Sequence, residues 1–202
     1  MHDPARHWLL LAGNDDGGGV CGQDGFVRVV AAEDRVRYTI KHTIETDVDT
    51  FWKLFFDPEF NRTLFLDFLG FSTYRILDDK TEVDGTRTRR IECTPKVEMP
   101  APVRKIFGEG VGYVEEGRYD PAQRRYTVQV RPNVGADKIR TSVEIWVEAR
   151  GDKRCERMVA VENTVKAFGI GTLIEGFIEQ QTRDMYARAA DFTNRWVRDQ
   201  GL

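Results

Sequence analysis

From Val36 the chain alternates: Tyr38, Ile40, His42 and Ile44 are interleaved with Arg37, Thr39, Lys41, Thr43 and Glu45. A period of two with one apolar face predicts a half-buried strand. Thr46-Asp47-Val48-Asp49 then offers helix N-caps ahead of Phe51, Trp52, Leu54 and Phe55, and Asp57-Pro58 breaks that run. A second short helix fits Glu59 to Asp67. Strands follow in quick succession near Gly70–Leu77, Thr86–Thr94, Val111–Tyr119, Arg124–Arg131, Ile139–Ala149 and Cys155–Lys166. Turn signals stand at Asp84-Gly85, Asp120-Pro121 and Arg150-Gly151-Asp152. Strands this closely spaced predict one antiparallel meander.

The period then changes. Ile174, Phe177, Ile178, Gln181, Met185, Ala189, Phe192 and Trp196 recur in steps of three and four, which predicts one long helix over roughly Gly171 to Asp199. Its stripe is about 33 Å long at 1.5 Å per residue. The opposite face carries Glu175, Glu179, Arg183, Arg188 and Arg195. The predicted order is one strand, two short helices, six strands and a long helix, an α+β arrangement. A strongly curved antiparallel sheet with the long helix across its concave face would bury every one of these stripes.

Residues 1–34 read differently. Six of the 18 glycines fall between Gly13 and Gly25, among Asn14, Asp15, Asp16 and Asp24, so this stretch can bury little. The apolar run Trp8–Ala12 is shorter than the roughly 7–15 residues of a secretory signal core. Phe26–Val30 could add an edge strand. The expected organisation is a flexible glycine-rich leader over 1–34 and one domain over 35–202.

The opening strand Tyr38–Ile44, the helix start Asp47-Val48-Asp49-Thr50-Phe51-Trp52 and the segment from Val165 to Glu175 carry a resemblance. Together they resemble the START-like (SRPBCC, helix-grip) superfamily, which includes the birch-pollen allergen. The last segment is similar to the strand-to-helix junction of uncharacterised bacterial START-like lipid-binding families and of eukaryotic sterol-transfer domains. The resemblance covers about residues 36–198. It implies a helix-grip fold and a cavity for a lipid or another hydrophobic small molecule between the long helix and the sheet.

Charge and composition narrow the function. Lys and Arg number 30 against 33 Asp and Glu, a net charge of −3, which argues against a nucleic-acid binder. No run of about 18 apolar residues offers a transmembrane helix. The three cysteines, Cys21, Cys93 and Cys155, form no CxxC pair, and a reduced cytoplasmic setting is the simplest reading. The three histidines, His2, His7 and His42, form neither HExxH nor a zinc-spaced cluster, and neither GxSxG nor a phosphate loop occurs. No metal, cofactor or catalytic set is therefore expected.

The candidate ligand-binding residues are Tyr38, His42, Tyr113, Thr141, Asn163, Phe177, Ile178 and Met185. His42 lies on the apolar side of its strand and is the one near-neutral acid–base group of the domain. It serves equally as a core histidine bonded to a neighbouring element. Thr141 and Asn163 could orient a ligand hydroxyl or carbonyl, or satisfy local backbone groups. For Tyr38, Tyr113, Phe177, Ile178 and Met185, pocket lining and core packing overlap. Gly169 and Gly171 read either as a tight strand-to-helix junction or as a hinge.

Between Thr94 and Gly108 three prolines interrupt the strands, and Val103, Ile106 and Phe107 then stand beside Arg104 and Lys105 as one helical turn. Six basic residues against Glu92 and Glu98 leave Arg87–Lys105 with a local charge of +4. Val103, Arg104, Lys105, Ile106 and Phe107 could dock on an anionic membrane while ligand passes, or could cover the end of the sheet.

Three functions compete. The first is a carrier or sensor of a hydrophobic ligand. The second is a polyketide cyclase- or aromatase-like enzyme that uses His42, with Tyr74 or Tyr113, as its acid–base group. The third is a protein-interaction module with a filled core.

Overall fold

A computed structural model describes residues 35–108, 110–167 and 169–202, all within one compact unit. The leader and the Phe26–Val30 segment lie outside the described residues. The chain forms β1 (Arg35–Ile44), α1 (Val48–Phe56), α2 (Pro58–Arg62), a π-helical turn (Thr63–Phe68), β2 (Thr73–Thr81) and β3 (Arg87–Thr94). Then come α3 (Ala101–Phe107), β4 (Tyr113–Asp120), β5 (Arg125–Pro132), β6 (Ile139–Ala149), β7 (Cys155–Val165) and α4 (Gly171–Gln200).

The seven strands make one curved antiparallel sheet in the order β1-β7-β6-β5-β4-β3-β2. After β1 the chain crosses by α1 and α2 to the far edge and meanders back until β7 pairs with β1. The long helix α4 packs against β1, β7 and the π-helical turn. This is the helix-grip arrangement that the amphipathic stripes predict.

Local chemistry explains the crossover. The Asp47 carboxylate accepts the Thr50 amide at 2.9 Å and caps α1. Asp57 ends α1 and then caps α2 by accepting the Phe60 amide at 2.7 Å, with Pro58 in the first turn, where its missing N–H does no harm. The expected helix over 59–67 is in fact α2 followed by the π-helical turn, closed by the Leu69 amide on the Leu64 carbonyl. In that wider turn Phe65 stacks on Tyr74 with centroids 4.5 Å apart.

Two further expectations shift. The strand expected over 70–77 runs from Thr73 to Thr81, because Gly70, at φ +78°, and Phe71 belong to the preceding turn. Its polar half is held by charge, with Asp79 paired to Arg87 at 2.6 Å, a pairing that apolar alternation cannot reveal. Glu175, expected on the outer face of α4, is buried.

Candidate functional site

Alternation sends one set of side chains from every strand under α4. Along β7 these are Cys155, Arg157, Val159, Val161, Asn163 and Val165, all buried. At one end of the sheet this space is filled with rings. Trp52 packs against Phe51, Phe55, Phe56 and Tyr119, at centroid distances from 4.7 to 6.0 Å. Tyr126 joins them beside Phe55 and Phe56. A Cβ at Gly117 would overlap the Tyr126 hydroxyl, so the glycine makes room for that ring.

At the other end the space is empty. A cavity of about 260 Å³ lies between α4 and the sheet. Its walls include Val130, Val143, Val161, Ile174 and Phe177, with Met99 and Phe107 closing one side. The exposed Lys96, Asp184 and Arg188 mark its rim. A second chamber of about 100 Å³ adjoins it deeper in the molecule, sharing Leu69, Glu115, Val143, Met185 and Tyr186 as walls.

The second chamber adds two buried cations, Arg89 and Arg157, and shares Glu115 with the first. Arg89 has a carboxylate neighbour: its guanidinium lies 3.4 Å from Asp79, which also pairs with Arg87, and it donates to the Tyr74 hydroxyl and the Phe55 carbonyl. Glu115, on the inner face of β4, has no hydrogen bond or ion pair among the described residues. Burial raises its pKa to about 7, and the nearby Arg89 cation opposes that rise only in part. Arg157 donates from Nη2 to the Tyr186 carbonyl at 2.7 Å and contacts His42 Nδ1 at 3.2 Å. Burial lowers its pKa to about 10, so it remains charged at neutral pH.

The structure places Tyr113, Thr141, Phe177, Ile178 and Met185 in the cavity wall. The other three candidates stand behind it. Asn163 is fully buried, accepts from the Thr141 hydroxyl at 2.8 Å and donates to Tyr38 Oη at 3.4 Å. This row ties β6, β7 and β1 together and leaves the Asn163 amide little capacity for a ligand. His42 packs beside Arg157, and burial followed by that cation lowers its pKa. Its bond to Arg157 requires the tautomer with a bare Nδ1.

In the Thr94–Gly108 loop, α3 is longer than the single turn expected. Val103 and Phe107 are buried, so the side chains that membrane insertion would need are turned into the protein, where Phe107 forms cavity wall. Arg104 and Lys105 are exposed, and the side chain of Ile106 lies outside the described residues. The +4 of Arg87–Lys105 does not make one basic patch, because Arg87 and Arg89 pair with Asp79 and Arg90 with Glu116. Gly169 has φ +79°, a left-handed conformation that suits a fixed junction ahead of α4.

Sequence reasoning missed Glu115 and Arg157, although the signal was present. The period of two that puts Tyr113 inside also puts Glu115 there, and Arg157 shares the inner face with Val159, Val161 and Asn163.

A family model matches residues 39–197, under the description "Protein of unknown function (DUF2505)". The chain belongs to this DUF2505 family. Among solved structures, the DUF2505 chain is similar to norcoclaurine synthase from Thalictrum flavum, at 21% identity and a TM-score of 0.59 over 84% of this chain and 99% of that one. It is similar to the Zhui aromatase/cyclase from Streptomyces sp. R1128, at 14% identity and a TM-score of 0.56 over 80% and 95%. A START superfamily protein from Mycobacterium smegmatis aligns at 13% identity and a TM-score of 0.55 over 81% and 98%. At such identities these structures establish the START-like helix-grip fold. A comparison with curated proteins finds no match. Among the described residues no helix is long and apolar enough to cross a membrane, and no group of three or more His, Cys, Asp or Glu is placed to hold a metal ion.

Proposed function

We propose that this DUF2505 protein binds a hydrophobic small molecule, of lipid or sterol-like character, between α4 and the sheet, as a carrier or sensor. The cavity of about 260 Å³ with its largely aliphatic and aromatic wall carries this reading. Each 100 Å² of apolar surface that a ligand buried there would contribute about 2.5 kcal/mol. An interaction module with a filled core has no use for such a void. Native mass spectrometry of the protein as purified, together with Nile red titration of lipid-stripped protein, tests the reading. Val143→Phe, which places a ring between the two chambers, is expected to weaken dye uptake about tenfold. Absence of both a co-purifying molecule and dye uptake in the parent protein would refute it.

One observation favours a second reading, acid–base catalysis. Glu115 faces the cavity with no hydrogen-bond or ion-pair partner among the described residues and titrates near neutrality, the property that His42 would have needed in an active-site role. The phenols of Tyr113 and Tyr186 near it are held neutral by burial and can orient a substrate. This reading predicts that Glu115→Gln abolishes turnover of a bound polyketide-like substrate while His42→Ala leaves it. Loss with His42→Ala alone would reverse the assignment.

A further inference from the structure

The buried guanidinium of Arg157 has a charge that no carboxylate of the described residues neutralises. The residue is 6% exposed, on the inner face of β7 beneath α4. No carboxylate of the described residues pairs with it; its contacts are a backbone carbonyl, His42 Nδ1 and the face of the Tyr186 ring, 5.0 Å away. Its Nε has no acceptor, and no hydrogen bond from Nη1 is formed within the described residues. Removing such an ion from water costs several kcal/mol unless an opposite charge comes with it. Arg89, across the same chamber, also has an Nε without a hydrogen-bond partner, but a carboxylate lies beside it in Asp79, which it shares with Arg87.

The rest of the chamber repeats the pattern. The Tyr126 hydroxyl, also at its wall, has no hydrogen-bond partner, and the Glu115 carboxyl has none among the described residues. Glu115 makes no ion pair or hydrogen bond to Arg157 among the described residues, so it does not serve as the missing anion. The neighbouring chamber, which shares Glu115, Met185 and Tyr186 as walls, is lined mostly by aliphatic and aromatic side chains.

We propose that the ligand is an apolar carboxylic acid, whose carboxylate enters the small chamber as the counter-ion of Arg157 and whose hydrocarbon body fills the larger cavity. The assignment rests on the hydrophobic-binder reading and adds to it the chemistry of the ligand's polar end. A carboxylate is planar and matches a guanidinium edge with two parallel hydrogen bonds. It is also small enough for a chamber of about 100 Å³.

Lipid-stripped full-length protein titrated calorimetrically with dodecanoate, dodecanol and dodecylamine, each below its micellar concentration, tests this. Dodecanoate is expected to bind roughly tenfold tighter than the other two, the size of one charge-assisted hydrogen bond. In Arg157→Met its affinity should fall to that of dodecanol, and Arg157→Lys should restore part of the preference. Equal binding of dodecanoate and dodecanol in the parent protein, or a preference that survives Arg157→Met, overturns the carboxylate assignment and leaves the binder reading standing. Binding of none of the three overturns both. Should Arg157→Met not fold, carboxyl-¹³C dodecanoate on the parent protein decides instead. Its resonance should stay at the ionised position at least about one pH unit below the free acid's midpoint, and an unshifted or raised midpoint refutes the pairing.

Discussion

The two ends of the concave sheet face obey the same alternation and do opposite things with it. At the α1 end, aromatic rings from the helix and from β4 and β5 fill the space beneath it; Trp52 and Tyr126 are 6% and 2% exposed. At the α3 end, medium-sized side chains from β5, β6 and β7 stop short of α4 and leave the cavity. Side-chain size changes along the same strands. The strands are continuous from one end to the other, and β5 alone carries Tyr126 at the filled end and Val130 at the empty one.

Truncation should separate the two ends most sharply. Trp52→Ala removes a ring from a filled region and is expected to cost about 4 kcal/mol in urea unfolding. Phe177→Ala, at a half-buried cavity wall, should cost about 1 kcal/mol, because the space around it is already open. Comparable losses would mean that the two ends are packed alike. Overfilling should show the same contrast. Gly117→Val forces a side chain into the Tyr126 ring and is expected to cost about 2 kcal/mol. Val143→Phe, next to the void, should leave stability within about 1 kcal/mol of the parent.

Between the ends sits Glu115, and it should imprint a pH dependence on the ligand-free protein. Its folded pKa of about 7 exceeds the ordinary 4.5, so between those values the folded state binds more protons than the unfolded one. Stability contributed by this group is fully present below about pH 4.5 and is lost as pH rises to about 7. Glu115→Gln should remove that decline, and denaturant midpoints measured from pH 4.5 to 8 check it. An unchanged slope would show that Glu115 is solvated. The smallest effect belongs to Tyr126→Phe: its buried hydroxyl has no partner, so the variant should match or slightly exceed the parent, within about 0.5 kcal/mol.

Much of the fold was legible in the chain. Alternation marked the seven strands, with β6 found at Ile139–Ala149 as expected, and the 3.6-residue stripe marked α4 and the face that it turns inward. Asp47 announced the first short helix and Asp57-Pro58 its end, while Asp57 also caps the second. The edge strand β2 was harder, since cross-strand ion pairs rather than an apolar face hold its outer half. The site was legible in part. Tyr113, Thr141, Phe177, Ile178 and Met185 are wall residues, whereas His42, Asn163 and Tyr38 bond to protein neighbours. The charged residues of the interior were overlooked, because a lone Glu or Arg on an inner face reads as an exception to alternation until the fold shows it buried.

By itself the sequence determined the order of elements and most of their inner faces, because those follow from local period and capping, and its resemblance to a known superfamily implied the helix-grip fold. Only the tertiary structure decided where the inner faces meet without filling the space between them. It also decided that Asp79 lies beside Arg89 while no carboxylate of the described residues reaches Arg157. Those outcomes depend on volumes and charges contributed by strands far apart in the chain, and no local pattern records their sum.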